Sequence, residues 1–121
     1  MKVVYQHEFL NRQPIITEQG EIIHEIAVGE KQSVAHVLLP SRIASPAHMH
    51  IVLEEIYYIL SGAAYLVIDG KTTPVEAGTT VVISAGETHK IVNPYEEPCE
   101  FIVTCCPPWT PEDYHIVQEK K

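Results

Sequence analysis

No stretch of this chain is apolar for long enough to cross a bilayer as a helix. Its longest apolar runs fall short of half of the roughly 20 residues such a span needs, and the opening MKVVYQHEFLNRQP has no extended apolar segment ahead of its polar residues. Basic residues are few, 8 against 16 acidic ones, and the formal net charge of −8 repels phosphate backbones and anionic lipid surfaces. The expectation is a cytoplasmic protein with no nucleic-acid partner and no membrane partner. Cysteine is scarce as well: Cys99, Cys105 and Cys106 are an odd number, crowded toward the C-terminus and without CxxC spacing. That excludes a disulfide framework and a thiolate zinc site, and reads as reduced strand residues, with a reactive thiol at Cys105 or Cys106 as the minority reading. Fixed-period repeats and low-complexity tracts are missing, so solenoids and linkers are excluded.

What is present is an ordinary globular composition, 45% apolar and 20% charged over 121 residues, which is room for one domain, 1–121. Period two dominates. EIIHEIAV, SVAHVLL, EEIYYIL, AAYLVID, TTVVIS and EFIVTCC are short, rich in β-branched and aromatic residues, and separated by Gly, Pro, Asn or Asp, while no window offers a convincing helix. Asp69-Gly70 is the pair a type I′ hairpin favours, because both central positions need positive φ, so the flanking strands should pair antiparallel. About eight to ten such strands predict an all-β antiparallel sandwich or barrel. Its core spans about residues 20–106, with an N-terminal arm, 1–19, and a C-terminal tail, 107–121, outside it. In that tail Pro107, Pro108 and Pro111 oppose regular structure while Trp109, Tyr114 and Ile116 offer apolar area, either to pack on the barrel or a partner subunit, or to act as a lid over a site.

The chemistry concentrates in two islands. His48 and His50, two apart on a strand, project to one side and can approach a common point, with Met49 facing away. On an unbroken strand Glu54 has the matching parity; Glu55 joins the histidines only if the chain bends near IVLE, so parity leaves that choice open. The second island, GTTVVISAGETHKIVN, places His89 and Ile91 on one face. His24 and His36 also lie in strand-like runs and read as structural polar residues. The bland alternative for the first island is a surface loop after Pro46 and a solvated Glu55, but the apolar IYYIL follows directly, and a carboxylate opening a core strand needs a compensating cation or hydrogen-bond partner.

These residues resemble the two motifs of the cupin superfamily. The first motif is Gly, five residues, His-x-His, three or four residues, Glu, six residues, Gly, and His48, His50, Glu55 and Gly62 follow that spacing. The second is Gly, five residues, Pro-x-Gly, two residues, His, three residues, Asn, matched by Gly78, Gly86, His89 and Asn93. Arg42 stands in place of the opening Gly and Ser84 in place of the Pro, both turn positions. The resemblance covers Arg42 to Asn93 and implies a small single-domain protein with a double-stranded β-helix, or jelly-roll, barrel. It further implies one metal ion held by His48, His50, Glu55 and His89, and thereby favours Glu55 over Glu54. Dimers are common among proteins resembling this one, so a homodimer is expected, with the terminal arms as contact surfaces.

Three imidazoles and a carboxylate suit one divalent transition metal ion, Mn, Fe, Ni, Co or Zn, and such a site retains positive charge that favours a small anionic substrate or ligand. By parity Tyr57 and Ile59 share a face with Glu55, and Ile91 and Asn93 share one with His89. Tyr57 is therefore the candidate catalytic group, as a hydrogen-bond donor to a substrate oxygen, and Ile59, Ile91 and Asn93 are candidate substrate-binding walls. Arg42, the basic residue near the first motif, is the candidate to grip a carboxylate, though a solvent-facing loop role competes. The leading function is a metal-dependent enzyme of dioxygenase type acting on a small oxygenated organic anion. The alternatives are redox-neutral isomerase, epimerase or decarboxylase chemistry, as in sugar-phosphate isomerases and oxalate decarboxylases of the same superfamily, and a non-catalytic ligand-binding or sensor module. The scarcity of cations near the motifs weakens a sugar-phosphate substrate.

Overall fold

The computed structural model describes residues 1–119. The period-two segments form strands that curl into two facing antiparallel sheets. In chain order they are β1 (Ile15–Ile16), β2 (Ile22–Val28), β3 (Ser33–Leu39), β4 (His48–Met49), β5 (Glu54–Ser61), β6 (Ala63–Ile68), β7 (Lys71–Glu76), β8 (Thr80–Ile83), β9 (His89–Val92), β10 (Cys99–Cys106) and β11 (His115–Ile116). One sheet runs β1-β2-β3-β10-β5-β8 and the other β11-β4-β9-β6-β7. The chain passes repeatedly from one sheet to the other, the jelly-roll connectivity that lets a short all-β chain enclose a core.

Alternation decides what is enclosed. Along β5, Glu55, Tyr57 and Ile59 are buried while Glu54, Ile56, Tyr58 and Leu60 face outward. Along β10, the strand hydrogen-bonded to both β3 and β5, Cys99, Phe101, Val103 and Cys105 turn inward. These side chains meet Val37, Leu39, Leu53, Leu66 and Ile83 in one core. Each fully buried apolar side chain of that kind contributes about 1.5–3 kcal/mol. Cys99 and Cys105 are buried and Cys106 is exposed, all three as free thiols. Burial, with Glu55 beside it, pushes the Cys105 thiol far up, and a thiol so held is a poor nucleophile.

The hairpin at Asp69-Gly70 forms as its sequence requires, with φ of 47° and 83° and Ile68 paired to Lys71. The flanking segments are joined to the barrel more closely than arms outside it. β1 pairs with β2, and the five-residue helix α1 (Gln6–Leu10) lays buried Phe9 near His24 and His36, with ring centroids 6.4 and 6.2 Å away. Arg12 donates to the carbonyls of Glu25 and Ile26 at 3.1 Å each. At the other end β11 pairs with β4. His36 sits 3.1 Å from Glu100, the structural polar role its sequence context implied. No helix among the described residues is long and apolar enough to cross a membrane.

Two motif positions are backbone devices. Gly62, where the chain leaves β5 for the opposite sheet, has φ of 80°, and a Cβ there would collide with the Pro98 carbonyl oxygen and lie 3.0 Å from the Cys99 Cα. Arg42 adopts φ of 63°, the left-handed conformation for which glycine is the easy choice, so the departure from the motif is accommodated by strain of about 1 kcal/mol and leaves the turn intact. Gly62→Ala should lose about 2–4 kcal/mol of unfolding free energy, from the positive φ and the overpacked crossing together. A urea-denaturation midpoint equal to that of the wild type would refute this account.

Candidate metal centre

β4 and β9 pair so that His48 lies directly opposite His89, and both side chains turn to the interior. One residue beyond the end of β4, His50 also turns inward. The chain then leaves the sheet at exposed Ile51 and Val52 and enters β5 in the other sheet. This bend resets the side-chain parity, so Glu55 is buried and aimed at the histidines while Glu54 is exposed. The choice that parity left open thus falls to Glu55, in agreement with the motif.

Each imidazole is oriented by a backbone carbonyl. Nδ1 of His48 donates to Pro46 O at 2.8 Å, that of His50 to Asp113 O at 2.6 Å, and that of His89 to Glu87 O at 3.0 Å. With the protons on Nδ1, every Nε2 carries a lone pair. Glu55 Oε1 stands 2.9 Å from Nε2 of His89 and 3.2 Å from Nε2 of His50. These are hydrogen-bonding distances, yet neutral rings present only acceptors to an acceptor, and Glu55 Oε1 and both Nε2 atoms are buried without a hydrogen-bond partner. One donor atom from each of His48, His50, Glu55 and His89 lies within 4.8 Å of the others. Buried polar groups are almost always satisfied, so lone pairs converging in this way call for a cation.

A proton is the least such cation. Burial alone would raise the Glu55 carboxyl, but the hydrogen bonds and charge that His50 and His89 offer once a proton turns an Nε2 into a donor outweigh it and hold the group down at about 2. The same carboxylate overcomes burial to raise His50, while His48, desolvated and beside His89, is pushed down to about 4. The site thus holds an ionised carboxylate and a His48 ring that stays neutral at physiological pH, two of the protonation states that ligate a divalent ion, which would displace the proton that Glu55 favours on His50.

The cluster borders a partly enclosed cavity of about 440 Å³. Its wall includes His48, His50, Glu55, Tyr57, Trp109 and Tyr114. The proline-rich tail forms part of that wall. Tyr114 packs its ring 5.1 Å from His48 and 6.1 Å from His50, and Trp109 N–H donates to Ser33 Oγ at 3.0 Å. The turn Pro111–Asp113 clamps the bend between His50 and Glu55: Asp113 Oδ1 accepts from Ile51 N–H at 2.7 Å and Oδ2 accepts from Leu53 N–H at 2.9 Å, with Val52 N–H at 3.1 Å from Oδ2.

The other sequence candidates fall in different places. Tyr57 lines the cavity, stacked on Phe101 at 4.8 Å, and burial followed by the charges of Glu55 and Glu21 holds its hydroxyl protonated. Ile59 and Ile91 are in the core below the cavity and do not border it. Asn93 spends its amide on the carbonyls of Leu39, Pro40 and Glu97 and accepts from Tyr95 N–H, which ties the β9 exit to two other loops. Arg42 is exposed on its turn, away from the cavity wall. Sequence reasoning passed over Asp113, which carries no local signal, and Glu21, whose parity with Ile23 and position before a strand were available hints. Cys105 gains a role as well: its Sγ donates to Glu55 Oε2 at 3.6 Å, a weak contact that helps fix the carboxylate.

The fold and the cluster together define a double-stranded β-helix barrel with a three-histidine, one-glutamate centre. The chain belongs to the cupin family, whose cupin-domain model matches residues 34–105. An uncharacterized protein of Methanocaldococcus jannaschii is 34% identical over 98% of both chains. The oxalate-binding protein of Thermotoga maritima is 31% identical over 70% of this chain and 71% of its own. A solved polyketide cyclase of Streptomyces resistomycificus superposes with a TM-score of 0.79 at 21% identity, covering all of this chain and 88% of the cyclase, a likeness of fold alone.

Burial is the largest single influence on the Asp113 carboxyl and would raise it, but the N–H groups of Leu53, Ile51 and Val52 together with the charge of His50 outweigh it and hold the group below its ordinary value. Its contribution to stability is therefore present above the ordinary 3.8 and lost as acid protonates the folded-state group. Asp113→Ala should cost about 2 kcal/mol at pH 7 and open the segment after Cys106 to limited proteolysis. Asp113→Asn should lack the acid-dependent part of that loss. Unchanged cleavage kinetics in the Ala variant would show that the clamp does not hold the tail.

Proposed function

We propose that His48, His50 and His89 through Nε2, with the Glu55 carboxylate, hold one divalent transition metal ion, and that the protein is a metal-dependent enzyme acting on a small oxygenated organic anion. The observation that carries this reading is the convergence of buried lone pairs with no donor among them. Mn, Fe, Co, Ni and Zn all accept such a donor set, and the ion supplies Lewis-acid polarisation of a ligand carbonyl. The protein's own residues do the rest. The carbonyls of Pro46, Asp113 and Glu87 fix the imidazoles, Tyr114 and Trp109 narrow access for water, and Tyr57 offers a hydroxyl to a ligand oxygen. Likeness to a protein that binds oxalate supports a small organic anion as the occupant.

Two reaction classes use such a centre. Dioxygenase-type oxidation needs a redox-active ion and O₂, whereas isomerase, epimerase or decarboxylase chemistry needs a group that moves protons. A buried carboxyl in the cavity wall outside the ligand set, Glu21, favours the redox-neutral class. The expected homodimer draws support from Ile15, Ile16 and Ile116, apolar side chains left exposed on the short strands β1 and β11.

Elemental analysis of unsupplemented protein should find one divalent ion per chain. Added ion at about 100 times its Kd should stabilise the fold by about 2.7 kcal/mol, a rise in Tm of roughly 10 °C, and EDTA should reverse it. His48→Ala, His89→Ala and Glu55→Gln should each weaken binding at least about 10-fold. Protein that stays empty when offered all five ions ends this reading. O₂ uptake by the Fe(II) form with diketones, flavonols or catechols selects the dioxygenase class, and turnover with Zn(II) under strict anaerobiosis selects the redox-neutral one. Sedimentation equilibrium should give twice the 13.6 kDa mass of the chain, and a monomer at micromolar concentration would refute the dimer.

A further inference from the structure

Glu21 stands just before β2, where the chain turns in toward the barrel. Its backbone is pinned: Glu21 N–H donates to Thr17 Oγ1 at 3.0 Å, and Thr17 N–H donates back to Glu21 O at 2.9 Å. The residue is only 6% exposed and borders the same 440 Å³ cavity as His48, His50 and Glu55. Among the described residues its carboxylate meets no hydrogen-bond donor and no cation. A buried carboxyl ordinarily has one or both, because desolvating an unpaired charge is unfavourable by several kcal/mol. Glu55 and Tyr57 from β5 and Tyr114 from the tail are the groups whose charge couples to it; Glu18, Glu25, His48, His50 and Cys105 share the cavity wall, and among the described residues no Lys or Arg does. Burial, and then the negative charge of Glu55, push its carboxyl up to about 7. An acid so placed is both proton donor and proton acceptor at neutral pH.

We propose that Glu21 is the proton-transferring catalytic residue of this cavity, acting on a small 2-oxo or 2-hydroxy carboxylate that carries a C–H bond next to a carbonyl or carboxylate carbon. The inference deepens the metal-dependent reading and rests on it for the binding of the anion at the four-residue cluster. The Glu21 carboxylate takes the proton: the ligand's C–H bond breaks, its electron pair moves into the adjacent carbonyl group, and an O–H bond forms on Glu21. Exchange of that proton with solvent before it returns to the same face of the carbon gives isotope exchange, and its return to the opposite face gives epimerisation. No oxidant or reductant enters the balance. Tyr57 donates its hydroxyl proton as a hydrogen bond to the ligand oxygen and does not ionise. Glu55 is excluded from this role because its lone pairs belong to the cluster.

Two measurements decide the matter. In metal-free protein carrying ¹³C-labelled glutamate carboxyls, the resonance that disappears in Glu21→Gln should titrate near neutrality, well above the ordinary range around 4.5. In Zn(II)-loaded protein in D₂O, proton NMR should show deuterium entering the methyl group of pyruvate faster than in a Zn(II) blank, with a rate that rises with pH through neutrality. Glu21→Gln should lower that rate at least about 100-fold at unchanged Zn(II) stoichiometry, and Glu21→Asp should recover part of it. A Glu21 resonance with an ordinary midpoint overturns the proposal. So does exchange that is no faster than the blank, or that is equal in the Gln variant. Failure of the wild type to take up Zn(II) refutes the metal reading instead, and it is told apart because stoichiometry is measured before pyruvate is added.

Discussion

Four buried acceptors that share one small volume are the constraint on which this molecule turns. Nε2 atoms and a carboxylate oxygen repel one another unless a positive charge stands between them, and the separations of 2.9 and 3.2 Å around Glu55 are sustained only by a proton or an ion. Because Glu55 comes from one sheet and His48 and His89 from the other, that charge also ties the two halves of the barrel together. An apolar core would hold the sheets as well. What the cluster adds is a fixed register between them, since a shift of β5 by one residue would present Glu54 or Ile56 in place of Glu55.

The orientation of the donors depends on chain far from them in sequence. Asp113 does two things with one residue: its carbonyl takes the Nδ1 proton of His50, and its carboxylate gathers the N–H groups of the bend that carries the chain from His50 to Glu55. Outer partners of this kind set the tautomer and aim of a ligating imidazole, so the tail is part of the centre as well as a cover for it. Val117 N–H bonding to Ala47 O at 2.9 Å, beside the β11–β4 pairing, keeps the clamp in place. Packing of the tail on the barrel and closure over the site are therefore one arrangement seen from two sides.

Much of this was legible in the chain, for physical reasons that differ from feature to feature. Alternation reports which side of a strand is wet, so the sheets, the inward Tyr57 and the exposed Glu54 follow from local pattern once the bend is known. Asp69-Gly70 reports backbone conformation directly. The motif spacing located all four donors because each sits at a fixed distance from a turn. Parity, however, gives a face and says nothing of depth. Ile59 and Ile91 point inward as read and still lie beneath the cavity, and Asn93 spends its amide on three loop carbonyls. Asp113 acts through a hydrogen bond to Leu53 made across 60 residues of chain, and Glu21 feels the charge of Glu55 across 34; local pattern could hint that Glu21 is buried but encodes neither of these long-range relations. The N-terminal helix escaped notice because five residues are too few for a period of 3.6 to register.

The charge in the cavity explains why a second carboxyl can be tolerated there. With neutral imidazoles and an ionised Glu55, a divalent ion would leave the cluster with about one net positive charge. Such a charge would draw the Glu21 carboxyl down from its elevated position, toward the ionised form. An incoming carboxylate would restore the negative field and draw it back up. Glu21 would then be more basic with an anion present than with the ion alone, and its proton affinity would follow occupancy of the cavity. A residue in bulk solvent would feel little of this, because water screens charges at such separations. The same desolvation that raises Glu21 would therefore couple its protonation to an ion and an anion in the cavity.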